Sequence, residues 1–142
     1  MKAVELAKAY NPKDFEDRIY SEWKEKGEFA PSKGEGHFTV VMPPPNVTGV
    51  LHKGHALNNS LQDIIIRYKR MTGVPTLWVP GTDHAGIATQ NVVERQLAKE
   101  GLRRQDLGRE KFLERTWAVK DKHHNIIKSQ PEKMGCSCDW DP

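Results

Sequence analysis

Cysteine is scarce in this sequence, and long apolar runs and internal repeats are absent from it. Only two cysteines, Cys136 and Cys138, occur among 142 residues. A disulfide framework needs more thiols, and a four-ligand zinc site would need partners from elsewhere in the chain, so we expect both cysteines to be reduced. No apolar run approaches the ~20 residues of a membrane helix, and the amino terminus lacks the long apolar segment of a secretory signal. We therefore expect a cytoplasmic protein without a membrane partner.

What the chain does contain is ordinary for a globular domain. Hydrophobic residues make up 37% and charged residues 29%, close to the averages for folded proteins. The length suits about one domain. A net charge of +3 with a sequence pI near 8.9 is compatible with nucleic-acid contact but is far from a polybasic signature. Charge alone therefore does not decide the function.

The stretch from His37 to His55 predicts a strand, a loop and the start of a helix. The run Phe38 to Met42 is apolar without alternation, which is typical of a strand buried on both faces. Three prolines then end the strand, because proline has no N–H for a sheet ladder. A turn from Asn46 to Gly49 follows. We expect a helix from about Leu51 to Met71, with Gly73 as its stop and an apolar face made by Leu57, Leu61, Ile64, Ile65 and Tyr68.

A second strand over Thr76 to Val79 completes a βαβ unit with parallel pairing. Arg67, Lys69 and Arg70 would place cations near the negative end of the crossover helix. The fold class predicted from these elements is α/β, with parallel strands and crossover helices.

Three further helices are predicted outside this unit. Residues Phe15, Ile19 and Trp23 give the first of them an apolar face from Asn11 to Gly27, with the tryptophan expected in the core. The second runs from about Ala85 to Lys99. The third runs from about Gly108 toward Met134, and its Pro131 predicts a kink or termination near Gln130.

The segment His52-Lys53-Gly54-His55 puts two imidazoles three positions apart at a helix start, so both rings can face one ligand. Three interpretations stay open on the residues alone: a nucleotide site, buried structural histidines or a metal site. The place between a strand and a helix favours a nucleotide, because phosphate suits the unpaired N–H groups and positive dipole there.

A second polar group, Gly81 to Gly86, follows the second strand and should lie on the same carboxyl edge of the sheet. Asp83 either caps the next helix, which its spacing favours, or pairs with an ammonium group. His84 is either a phosphate contact or a supporting group.

The other candidate ligands are less specific. A metal site would combine His37, His52, His55 and His84 with the cysteines, but the spacing is not compact, so we predict no metal. His123 and His124 are expected to be exposed to solvent on a polar helix. The lysines 120, 122, 128 and 133 either contact tRNA phosphate or form an ordinary solvated face, which is the favoured interpretation.

Two segments together resemble one family. PPPNVTGVLHKGHALN and VPGTDHAGIATQ look like the amino-terminal part of the catalytic domain of class I valyl-tRNA synthetases, and the former contains that class's His-X-Gly-His signature. The resemblance implies the first half of a Rossmann-like catalytic domain, incomplete here. Residues 1–36 would form an amino-terminal helix and lead-in loop, and residues 37–142 the amino-terminal half of the nucleotide-binding domain.

The resemblance also implies roles for individual residues. The valine site would be lined by Pro43, Pro44 and Asn46, with Asp83 on the ammonium group. ATP, with Mg²⁺, would be bound by Thr48, His52, Gly54 and His55. His52 and His55 would be the catalytic residues that stabilise charge on the phosphates.

The implied function is ATP-dependent activation of L-valine and its attachment to tRNA(Val), by a monomer. Family members normally carry an apolar residue where Lys53 stands, so we expect this lysine to weaken folding or ATP binding. The second signature loop, the editing domain and the anticodon-binding region have no counterpart in these 142 residues, and the chain looks like a fragment. Two alternatives stay open: a stand-alone nucleotide-binding or nucleotidyltransferase module, and a non-catalytic fragment that binds tRNA or a synthetase.

Overall fold

The computed structural model describes residues 8–140, so the amino-terminal seven residues of the predicted lead-in segment lie outside the described part. In this range no helix is both long and apolar enough to cross a bilayer. The elements, in chain order, are a 3₁₀ turn (Pro12–Asp14), α1 (Glu16–Glu25), β1 (Phe38–Val41), α2 (Lys53–Met71), β2 (Thr76–Val79), α3 (Gly86–Lys99), α4 (Arg104–Leu107) and α5 (Arg109–Lys133).

The predicted βαβ unit is present. β1 and β2 pair in parallel, with Phe38 opposite Thr76 and Val41 opposite Val79, and α2 connects them. A further ladder bond, 2.9 Å from the Met42 N–H to the carbonyl of Val79, carries the pairing up to the prolines. The crossover helix ends at Gly73, which takes the positive φ of +80° that this stop requires.

The expectation that β1 is buried on both faces is wrong. Phe38 and Val40 turn toward the core, whereas Thr39 and Val41 are exposed. The described sheet has two strands, and only one of its faces is covered, by α2 and the segment 136–140. An uninterrupted apolar run indicates that both faces of a strand can be buried. Whether the second face is covered depends on another element, which the run does not specify.

Two apolar clusters hold the described residues together. The first joins the covered face of the sheet to α2 and the carboxyl-terminal segment, through Met42, Ile66, Trp78, Cys136 and Cys138. Both cysteines are free, as predicted, and burial raises the pKa of Cys136 to about 12 and that of Cys138 further. The second cluster lies between α3 and α5 and contains Val93, Leu97, Phe112 and Val119.

Helix α2 is turned the opposite way from its apolar pattern. The five residues of its predicted apolar face, Leu57, Leu61, Ile64, Ile65 and Tyr68, are 49–65% exposed. Ile66, fully buried, is the one large apolar residue that α2 contributes to the first cluster. The rest of the inward face is polar.

Those inward polar residues hold the segment 135–137. Asp63 accepts a 3.0 Å hydrogen bond from the Ser137 N–H, Arg67 donates to the carbonyl of Gly135 at 2.7 Å, and Arg70 donates to the carbonyls of Ser137 and Phe29 at 2.9 and 2.6 Å. Hydrogen bonds to charged groups contribute about 1.5–3 kcal/mol each. These four hydrogen bonds therefore stabilise an orientation of α2 in which its apolar side chains point outward.

Helix α1 docks through a tyrosine rather than through Trp23, which is 37% exposed instead of lying in the core. Tyr20 donates to the carbonyl of Cys136 at 2.7 Å and accepts from the Trp140 indole N–H at 2.8 Å. Burial raises the pKa of Tyr20. Trp23 instead lies beside Phe29 and under the guanidinium of Arg67.

Of the two outcomes predicted for Pro131, termination of α5 near Gln130 is wrong, since the helix continues to Lys133. A kink there stays a prediction. The proline lies in the last turn, where a missing N–H removes a single helical hydrogen bond. Its side chain is buried, and its carbonyl accepts from the Cys136 N–H at 3.0 Å.

Neighbouring isoleucines on α2 test its orientation. Ile66 is fully buried and Ile64 is 65% exposed. Ile66→Ala should lower the free energy of unfolding by about 2–5 kcal/mol through the cavity it leaves, while Ile64→Ala should change it by about 0.5 kcal/mol or less. Urea denaturation of both variants measures this. Equal losses would show that α2 buries its apolar face after all.

Candidate functional site

The loops that follow the two strands are joined at the carboxyl edge of the sheet. The Asp83 N–H donates to the carbonyl of Pro45, and the Val47 N–H donates to the carbonyl of Asp83, both at 2.9 Å. Asn46 and Asp83 therefore form an isolated parallel bridge beyond the point where the prolines stop the ladder. Two of the proposed valine-binding residues are neighbours in consequence.

The start of α2 is closed by its own histidines. His52 is the N-cap residue, and its Nδ1 accepts from the Gly54 N–H at 3.1 Å. The Nδ1 of His55 accepts from the His52 N–H at 3.2 Å, and the two ring centroids are 4.0 Å apart. Because each Nδ1 is an acceptor, each neutral ring carries its proton on Nε2. Both Nε2–H groups are then free to donate to a ligand.

The electrostatics favour a neutral ring at His55. Burial, and then the charge of His52, lower the pKa of His55 from its usual value near 6.5. A neutral imidazole at pH 7 binds an anion by donating a hydrogen bond rather than by full charge. The remaining unpaired N–H groups and the positive dipole end of the 19-residue helix α2 add to the attraction for phosphate.

Gly54 has a different neighbour from the one expected. A Cβ at this position would lie 2.9 Å from Cε1 of His52. The glycine therefore leaves room for the capping imidazole itself, which needs that space to reach the Gly54 N–H. Contact with a nucleotide base or sugar at Gly54 stays a prediction.

Two adjacent cavities share three lining residues, Pro45, Leu51 and His55. The outer pocket, about 390 Å³, contains five of the predicted site residues: Pro44, Asn46, Thr48, His52 and His55. The inner cavity, about 170 Å³, lies beneath the start of α2 and is lined by Pro43 and His55 together with residues of α5 and Trp140. Asp83 and Gly54 line neither cavity.

Asp83 does not cap α3 as its spacing favoured. The N-cap residue is Ala85, which has no side-chain cap and adopts a left-handed conformation with φ of +45°. The carboxylate of Asp83 instead accepts from the Ala85 N–H at 2.8 Å, so it supports the turn that leads into the helix. The side chain is exposed and accessible to a cation.

The carboxyl-terminal helix contributes two residues that sequence reasoning missed. His124 was expected in solvent, but it is half-buried and its Nδ1 lies 2.9 Å from Oγ1 of Thr82. Gln130 accepts from the Leu51 N–H at 2.8 Å. His123 is also half-buried, against the carbonyl of Val119. The helical spacing of residues 124, 127, 128 and 131 indicates a shared face, but nothing in the sequence shows what that face contacts.

Three of the four α5 lysines considered above have side-chain partners within the chain. Lys120 pairs with Asp121, Lys133 with Asp17, and Lys128 lies over the ring of Trp140. The interpretation as a solvated face therefore remains favoured over a tRNA-binding surface.

Lys53 is exposed at the first residue of α2, so no buried ammonium arises to weaken folding. Within residues 8–140 no group of three or more potential metal ligands occurs. Cys136 and Cys138 lie in the core, apart from the histidines at the helix start.

Comparison with known proteins points to one family. Residues 18–142 match the family described as tRNA synthetases class I (I, L, M and V). The chain is 61% identical to a valine--tRNA ligase of Treponema denticola, over 99% of this chain and 16% of that protein. It is 56% identical to that of Geobacter sulfurreducens, with the same coverages. The chain thus spans about a sixth of the length of these relatives.

A solved structure shows the same fold. LeuRS of Agrobacterium radiobacter K84, in a ternary complex with tRNA and LeuAMS, superposes with a TM-score of 0.73 over 93% of this chain and 15% of its own. The sequence identity is 22%. The predicted Rossmann-like synthetase fold is confirmed, and the division at residue 36 stays a prediction.

Acid should loosen the start of α2 through His55. Because its pKa lies below the usual value near 6.5, the unfolded chain takes up a proton at higher pH than the folded chain does. Above the unfolded-state pKa, near 6.5, the contribution of His55 to the free energy of unfolding is constant. The contribution decreases as the pH falls from there toward the lower pKa of the folded chain. His55→Asn keeps an acceptor near Nδ1 and does not titrate.

Urea denaturation between about pH 5 and about pH 7.5 compares the two proteins. Stability should fall less steeply with acid in His55→Asn than in the parent chain. Identical slopes would contradict the depressed pKa.

Proposed function

The chain belongs to the class I tRNA synthetases of the I, L, M and V group, and from this premise we propose that it contains the ATP- and valine-binding part of a valine--tRNA ligase. The reaction proposed for this site is the activation of L-valine. A carboxylate oxygen of valine attacks the α-phosphorus of ATP, the bond to the β-phosphate oxygen breaks, and valyl-adenylate and pyrophosphate are produced. In the whole protein the valyl group would pass to tRNA(Val).

The bridge between Asn46 and Asp83 is the observation that carries this proposal. It joins Asn46, which lines the pocket together with His52 and His55, to Asp83, whose carboxylate is exposed. The carboxylate suits the ammonium group of an amino acid, and the two Nε2–H donors suit a triphosphate. One edge of the sheet thus offers partners for both charged ends of the reaction.

Such chemistry needs positioning and charge stabilisation more than a nucleophile from the protein. In the proposal His52 and His55 donate to the phosphates, and Thr48 lines the same pocket. Pro44 provides a rigid apolar wall beside Asn46, whereas Pro43 faces the inner cavity. Mg²⁺ belongs to the proposal as the counter-ion of ATP.

A second candidate function has one observation in its favour. The exposed apolar side chains of α2, which include Leu57, Leu61 and Ile64, suit a chain that binds another polypeptide. A non-catalytic fragment that binds a synthetase would use that surface. A stand-alone nucleotide module would use the His52–His55 pair without the Asn46–Asp83 bridge.

The proposal places the protein in the cytoplasm as a monomer.

ATP–pyrophosphate exchange tests the function. The parent chain should bind ATP weakly and catalyse exchange with valine in preference to isoleucine and threonine. ATP binding without amino-acid dependence would favour the nucleotide module, and the absence of both would favour the non-catalytic fragment.

Replacement of His52 tests its role in ATP binding. His52→Asn keeps an oxygen where Nδ1 caps the Gly54 N–H but removes the Nε2–H donor. We expect unchanged melting and ATP affinity about three- to tenfold weaker, the worth of one hydrogen bond. His37 is exposed outside the pocket, so His37→Asn is the matched control and should bind ATP like the parent. Equal affinity in the two variants would remove His52 from the site.

A further inference from the structure

Helix α5 contacts both loops of the proposed site without lining the outer pocket. It reaches the first loop at Leu51, immediately before His52, and the second at Thr82, immediately before Asp83. Its Trp117 also meets His84 edge-on, with ring centroids 5.9 Å apart. A single rigid helix of 25 residues is thus attached to two loops that lie far apart in sequence.

The contact with the first loop is made by the side chain of Gln130. Gln130 is half-buried next to Pro131, which is fully buried. The Oε1 of Gln130 accepts a hydrogen bond from the Leu51 N–H at 2.8 Å. This bond holds the backbone one residue before the capping His52. Movement of Leu51 would move the imidazole that closes α2.

The contact with the second loop comes from the same helix face as the wall of the inner cavity. His124 lies on that face with Ile127 and Pro131, and its Nδ1 is 2.9 Å from Oγ1 of Thr82. The next residue, Asp83, is bridged through its backbone to Pro45 and Val47. A shift of Thr82 would therefore also shift Asp83 and its bridge to the first loop.

We propose that α5 sets the spacing between the two loops, with Gln130 as the positioning residue for the ATP-binding start of α2 and His124 as the positioning residue for Asp83. This proposal rests on the proposed function, because that function gives phosphate to His52, directly after Leu51, and the valine ammonium group to Asp83, directly after Thr82. Neither residue lines the outer pocket. Gln130 acts through Leu51, and His124, which lines the inner cavity, acts through Thr82. If the two residues were purely structural, replacing either one would weaken the binding of both ligands or of neither. If they are positioning residues, each replacement weakens the binding of one ligand.

Binding titrations of the 142-residue chain test this division. Gln130→Met keeps the length of the side chain and removes the acceptor, and His124→Leu removes the imidazole. ATP affinity should fall about three- to tenfold in Gln130→Met with valine affinity changed less than about twofold, and the reverse should hold in His124→Leu. His124→Asn, which retains a polar group near Nδ1, should restore valine binding. Equal effects of both variants on both ligands, or no effect, would overturn the proposal.

Amide hydrogen exchange separates this proposal from the proposed function. If the parent chain binds neither ATP nor valine, the function fails but the positioning can still be measured. Gln130→Met should raise exchange at Leu51 by about threefold or more, and His124→Leu should do so at Asp83. Gln130→Glu keeps the acceptor and should protect Leu51; its charge would repel phosphate, so it serves only this measurement. Unchanged exchange at both amides would overturn the positioning roles.

Discussion

The proposed site depends on one constraint, the triple proline that ends β1. Prolines 43 to 45 cannot donate to a ladder, so the two parallel strands stop pairing at Met42. Pairing resumes once, at Asn46 and Asp83, through two hydrogen bonds of 2.9 Å. The bridge prevents the loops from separating. The inner cavity lies between ladder and bridge and is lined there by residues 43, 45 and 80–82. A longer, continuous ladder would leave no place for a ligand at this edge.

The second determinant is the orientation of α2, whose first turn carries the histidines. Apolar burial alone would turn Ile64 and Ile65 inward. Asp63, which accepts from the Ser137 N–H, and the donors Arg67 and Arg70 instead hold the opposite face against residues 135–137. With Ile66 as its main apolar contact, the helix is fixed largely by polar geometry. That geometry also fixes the direction in which His52 and His55 point, because both lie on the same rigid helix start. The apolar face of α2 is left exposed as a result.

The histidines combine structure and chemistry in the same atoms. Each Nδ1 satisfies a backbone N–H of the helix start, which forces the donor onto Nε2. The lowered pKa of His55 keeps this arrangement intact at neutral pH. A serine at position 52 would cap the Gly54 N–H but would offer no Nε2–H donor to a phosphate. Gly54 completes the unit, because only a residue without Cβ allows the His52 ring to fold over it.

The sequence by itself determined what is local. The turn chemistry of Gly73 placed the end of α2, apolar and β-branched residues placed β2, and the two signature segments identified the family. It could not determine which face of α2 is buried, because periodicity shows that an apolar face exists but not which element covers it. Nor could it find Gln130 and His124, whose partners lie 79 and 42 residues away. Only the tertiary structure decided those contacts, since they depend on where α5 packs rather than on the residues around them.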